Sequence, residues 1–133
     1  MSNQIVARFL DGRVLKGTSL DVNPKKPSCH IRADDGKSEH VQLKDLKALF
    51  FVRSPQGDPK RDDRRTPVDN DMRLKGSTLI SVRFADNESI VGLANEYPPT
   101  KPFFFMMPVD PDSNNIRILV NRAAIVDMNT VAE

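Results

Sequence analysis

The run RFLDGRVLKG (residues 8–17) returns as RFADNESIVG (residues 83–92) at a constant offset of 75. Ahead of and inside the first run, Ile5, Ala7 and Phe9 alternate with Val6, Arg8 and Leu10, the period of a strand with one buried face. Ile80, Val82 and Phe84 occupy the same places in the second run. Asp11-Gly12 and Asp86-Asn87 then read as two-residue hairpin turns, because both pairs tolerate the positive φ of the primed turn types. Gly17 and Gly92 fall inside the returning strands, where a glycine marks a bulge or bend.

The correspondence continues outward. Pro24 and Pro27 match Pro99 and Pro102, still 75 apart, and lead into a third strand, SCHIRA or FFFMMP. A turn follows, DDGKS or the longer DPDSNN, which moves the expected offset to 77 and matches Val41 and Leu43 with Ile118 and Val120. KDLK and NRAA suit a single helical or 3₁₀ turn, and ALFFV and AIVDM a closing strand. Five short strands with one tight turn before the fifth is the order of an SH3-like or Sm-like barrel. The expected fold is therefore all-β: two tandem five-stranded barrels at residues 1–53 and 77–133. Barrels of this size have thin cores, so each alone is marginal. Residues 54–76 read as a linker, since Pro55, Pro59 and Pro67 stand among mixed charges and few apolar residues. That linker is expected to be mobile or draped over the surface, with residues 68–74 available as an extra strand.

The rest of the chain excludes more than it selects. Among 133 residues, 38% are apolar and 29% charged, an ordinary globular balance. No apolar run approaches the ~20 residues needed to span a bilayer, and no leader-like segment opens the chain. One cysteine, Cys29, excludes an intrachain disulfide and suits a cytoplasmic location. A net charge of +2 neither demands nor forbids a nucleic-acid partner.

The runs DGRVLKG, DLKALFFV and PVDPDSNNIRILVNRAA resemble those of an uncharacterised family of bacterial tandem-repeat domains, a resemblance that covers nearly the whole chain and implies no activity. The start of each half is also similar to Sm-like RNA-binding proteins, through Asp11-Gly12 and Gly17. That resemblance implies a fold and a nucleic-acid partner, which basic loop residues such as Lys25, Lys26, Arg13 and Lys16 would meet. The chain departs from it where Asn23 sits early in its loop and Arg122 is followed by Ala123 instead of glycine. A third resemblance is to PilZ domains, whose R-x-x-x-R and N-x-S-x-x-G motifs match Arg61 and Arg65, and Asn87, Ser89 and Gly92. It implies a cyclic di-GMP receptor, in which paired guanidiniums meet phosphates and guanine edges.

Other constellations read as structure. Asp110, Asp112 and Asn114 mimic the start of a calcium loop, but Asn115 and Asn121 stand where it needs glycine and glutamate, so a hairpin loop is expected. Cys29 and His30 are neighbours in a strand and point to opposite faces; Cys29 is expected in the core and His40 is the only other histidine. No Cys/His cluster has metal-ligand spacing. The expectation is a non-enzymatic protein without a cofactor.

One asymmetry points toward a partner. The outward positions of the third strand are Ser28, His30 and Arg32 in the first half but Phe103, Phe105 and Met107 in the second. A strand apolar on both faces is covered on both, here by the other barrel, a second protomer or a partner protein. Phe103, Phe105, Met107 and the nearby Tyr97 are thus the candidate protein-contact residues of an adaptor or regulatory module.

Overall fold

The computed structural model describes residues 3–54, 56–57, 60 and 62–131. The first half holds β1 (Asn3–Phe9), β2 (Val14–Ser19), β3 (Ser28–Ala33), β4 (Ser38–Gln42) and β5 (Leu46–Val52). The second holds β6 (Thr78–Phe84), β7 (Ser89–Ala94), β8 (Phe103–Pro108), β9 (Asn115–Asn121) and β10 (Ile125–Thr130). Short 3₁₀ turns at Leu43–Asp45 and Arg122–Ala124 precede β5 and β10, and a third covers Met72–Lys75. The fold is all-β.

All ten strands join one antiparallel sheet, ordered β10-β6-β7-β8-β9-β5-β1-β2-β3-β4. The expectation of two separate barrels meets this continuity. Each half runs fifth, first, second, third, fourth strand, and the fifth strand of the first half pairs with the fourth of the second, β5 on β9. Among the described residues no pairing closes β4 on β5 or β9 on β10.

Burial explains the join. β5 is buried at all seven positions, as expected of a strand covered on both faces. Ala48, Phe50 and Val52 enter one core with Val6, Ile118 and Val120, and with Ile80, Val82 and Phe84 of β6. Leu49 and Phe51 point the other way, into a core with Ile5, Ala7, Phe9, Cys29, Ile31 and Leu119. Each core therefore draws residues from both halves.

Local geometry corrects three expectations. The hairpin loops are longer than two residues: Phe9 N–H donates to Arg13 C=O and Phe84 N–H to Glu88 C=O, both at 2.9 Å. Only the last loop residue has positive φ, Gly12 at 95° and Asn87 at 70°. This is the three-residue form ending in a left-handed residue. Asp11 and Asp86 serve instead as acceptors for the N–H groups of Arg13 and Glu88. Secondly, the later offset is 79, not 77: Gln42 and Asn121 stand immediately before the two turns, and Leu46 and Ile125 begin the last strands. Val41 and Val120 correspond, and Leu43 lies in a turn. Thirdly, residues 68–74 form no strand; the only regular element there is the turn Met72–Lys75.

Gly17 and Gly92 are places of close approach. A Cβ on either would land within 3 Å of a backbone carbonyl oxygen, that of Arg32 or Met107. Several described residues between β5 and β6 bond to the end of β8 and to the β8–β9 loop. Asn114 exchanges hydrogen bonds with the Ser54 backbone, Arg64 N–H donates to Asp110, Ser113 donates to Asp63, and the Arg73 guanidinium reaches the carbonyls of Pro108 and Val109.

Candidate functional site

β8 occupies the place where the two cores meet. Met106 and the half-buried Phe104 belong to one, while Phe103 and Phe105 pack against the other. The other half therefore covers much of the doubly apolar strand. The cover is incomplete: Phe103, Phe104 and Phe105 keep intermediate exposure and line an open cavity of about 200 Å³. Its other walls are the loop after β7, with Asn95, Glu96, Pro99, Thr100 and Lys101, and Pro24 of the first half. Arg117 of β9 lies over the rings of Phe51 and Phe105, 4.2 Å and 4.7 Å from their centroids. The two rings meet at a tilt of 58° with centroids 6.1 Å apart, and the guanidinium is placed to attract both by cation–π interaction.

Of the contact residues expected from sequence, Phe103 and Phe105 share this groove. Met107 lies further along β8, paired with Leu93, and Tyr97 packs into the first core with its hydroxyl near the Met128 carbonyl at 3.5 Å. Phe104, which alternation places on the opposite side of β8 from Phe103 and Phe105, packs against the core and also lines the groove.

The nucleotide candidates are partly assembled. Arg65 and Ser89 line one cavity of about 200 Å³, with Arg64, Asp62, Asp63, Glu88 and Asp110 around it. Asn87 is the left-handed residue of its turn, its Oδ1 3.4 Å from the Arg83 guanidinium. Arg61 lies outside the described residues. Of the basic loop residues, Lys16, Lys25 and Lys26 are exposed, while Arg13 is held by the Glu39 carboxylate and lies over the Phe9 ring. The carboxyl of Asp110 accepts from the N–H groups of Asp112 and Arg64, as a hairpin loop requires.

Strand pairing also assembles a cluster that linear spacing concealed. His30 and His40 face each other across β3 and β4 and stack at 4.8 Å. Asp21 Oδ2 lies 2.8 Å from His30 Nδ1, and Ser28 Oγ lies 2.8 Å from His40 Nε2. The carboxylate and the hydroxyl contact different imidazoles, so no single histidine is both oriented by an acid and paired with a nucleophile. The hydrogen bonds from the His30 side chain and backbone hold the Asp21 carboxyl down at about 2. Burial pushes the Cys29 thiol up to about 11, which keeps it protonated as a core residue. No cluster of three or more metal-ligating side chains occurs among the described residues, and no helix is long and apolar enough to cross a membrane.

These features define an all-β protein of ten antiparallel strands with an aromatic groove beside the join of its halves. The chain belongs to the Family of unknown function (DUF6982), whose sequence model matches residues 1–132. No curated protein and no solved structure matches it significantly.

Proposed function

We propose that this is a non-enzymatic adaptor or regulatory module of the bacterial cytoplasm, built from two tandem SH3-like/Sm-like barrels, that binds a partner protein through the β8 groove. The observation that carries the reading is the partial exposure of Phe103, Phe104 and Phe105 together in one cavity. Clustered aromatics in a concave, rimmed site are the usual anchors of recognition. Copurification from cytosol, with and without nuclease, tests it. The expected result is a nuclease-insensitive protein partner that Phe103→Ser and Phe105→Ser each release while thermal unfolding remains cooperative. Retention of that partner by both folded variants overturns the reading.

A second reading, the cyclic di-GMP receptor, is favoured by one observation: Arg65 and Ser89 line the same cavity. Against it, four carboxylates share that cavity. The ligand would raise the melting temperature by mass action, and Arg65→Ala would abolish the rise. No shift at saturating ligand ends this reading.

A further inference from the structure

We infer that the groove takes a partner's extended peptide segment as an added strand, hydrogen-bonded antiparallel to β8 at Phe103 and Phe105. This rests on the groove being the contact surface and names what it recognises.

The backbone register supplies the argument. Arg122 N–H donates to Pro102 C=O at 2.9 Å, and β8 pairs with β9 as Phe103 with Asn121, Phe104 with Val120, Phe105 with Leu119 and Met106 with Ile118. Hydrogen-bonded and non-hydrogen-bonded pairs alternate along an antiparallel ladder. Counting from Pro102, the groups of Phe104 and Met106 bond to β9, while the N–H and C=O of Phe103 and Phe105 point to the opposite side. On that side β7 pairs only at Gly92 with Pro108 and Leu93 with Met107. The chain then leaves β8 through the loop that forms the groove wall. Among the described residues no hydrogen bond reaches the outward backbone groups of Phe103 or Phe105.

The first half shows how one of these outward groups is satisfied. Leu43 N–H donates to Pro27 C=O, so by the same alternation His30 N–H points away from β4, and Asp21 Oδ1 accepts from it at 2.9 Å. Val22, next in the chain, packs on the core. The residues 75 further on are Glu96, Tyr97 and Phe105. Tyr97 packs on its core as Val22 does. Glu96 does not act as Asp21 does: its carboxylate accepts from Thr100 N–H at 3.2 Å and Thr100 Oγ at 2.6 Å. The acceptor that takes the His30 N–H in the first half is thus diverted in the second, beside three half-buried aromatic rings.

Two features select the occupant. Unmade backbone bonds on a strand edge ask for alternating donors and acceptors, which an extended peptide presents. Glu96 and Lys101 are the charged residues lining the groove and offset each other, which favours an uncharged apolar segment. That segment continues the ladder β7 begins.

Nuclear magnetic resonance on the full chain tests this. In the free protein, the amides of Phe103 and Phe105 should exchange with solvent fast, and those of Phe104, Met106 and His30 slowly. The probe is a capped pentapeptide of alternating threonine and valine. It should slow exchange at Phe103 and Phe105, and its counterpart N-methylated on the β8-facing amides should bind about tenfold more weakly. Protected Phe105 in the free protein overturns the proposal, as does a peptide that leaves these amides unchanged. Equal binding of the N-methylated peptide overturns strand addition but leaves the groove as a contact surface. Retention of the cytosolic partner by the serine variants removes the groove itself.

Discussion

The Lys47 ammonium on β5 lies 2.7 Å from the Asp86 carboxylate in the β6–β7 turn, tying the last strand of the first half to the first hairpin of the second. The same ammonium contacts the Glu88 carboxylate and stands 4.9 Å from the centre of the Phe84 ring. The cation is 9% exposed and its carboxylates 56% and 47%, so the two ends of the bridge differ in what they lose when it breaks.

That asymmetry orders three variants. Removing the charge with Lys47→Met keeps a stem across Phe84 and returns two exposed carboxylates to water, at a cost below about 1 kcal/mol. Lys47→Ala also removes the stem and should cost about 1–2 kcal/mol. The double variant Asp86→Asn with Glu88→Gln strands a buried cation and should cost most, about 2–3 kcal/mol. Urea unfolding measures all three. A double variant milder than Lys47→Met would show that the ammonium is not desolvated.

Asp21 predicts a pH dependence. Its folded pKa is lowered from the ordinary 3.8 to about 2, first by the hydrogen bond with the His30 ring and then by the His30 backbone N–H. A carboxyl with a depressed folded pKa adds stability above its unfolded pKa, and that contribution disappears as the pH falls through the folded value. The difference in stability between the natural chain and Asp21→Asn should therefore shrink between about pH 4 and about pH 2. Asparagine keeps an oxygen for the His30 N–H but cannot ionise. A difference constant across that window would mean that the carboxylate charge contributes nothing.

Much of this architecture could be read from residue spacing. Strand alternation located Ile5, Ala7 and Phe9, and Ile80, Val82 and Phe84, because a period of two survives wherever one face is buried. The join of β5 with β9 escaped, since pairing between distant strands leaves no local signature; the unbroken apolar run ALFFV was its only trace. The groove was half legible. The outward positions of Phe103 and Phe105 on β8 could be read from alternation, and both line the groove. The open backbone edge beside them depends on where β7 stops pairing and on Glu96 turning to Thr100, and neither follows from composition or periodicity.

The two strand glycines should resist substitution for a reason other than φ. In Gly17→Ala or Gly92→Ala the new methyl meets a carbonyl oxygen of the neighbouring strand, Arg32 or Met107, and a backbone atom cannot swing aside. Each should destabilise by about 2–4 kcal/mol, whereas Gly76→Ala, with nothing within 4 Å, should be nearly neutral. Thermal unfolding of the three variants checks this. Equal midpoints would mean that the strands separate easily at these crossings.

Asn121 carries the last prediction. Its side-chain N–H₂ donates to the Leu46 carbonyl at 2.9 Å and its Oδ1 accepts from Ala123 N–H at 3.0 Å. One amide thus caps the second 3₁₀ turn while holding the start of β5 in the other half. Asn121 is 5% exposed, so truncation leaves a donor and an acceptor short of partners in a place water reaches poorly. Asn121→Ala should cost about 1–3 kcal/mol. Asn121→Asp can still cap the turn but turns an acceptor toward the Leu46 carbonyl, so it should destabilise at neutral pH and recover as the carboxyl protonates. Gln42 stands at the equivalent first-half position and makes no side-chain cap; Gln42→Ala should therefore be mild. If the two alanine variants unfold at the same urea concentration, the bond to Leu46 does not help hold the halves together.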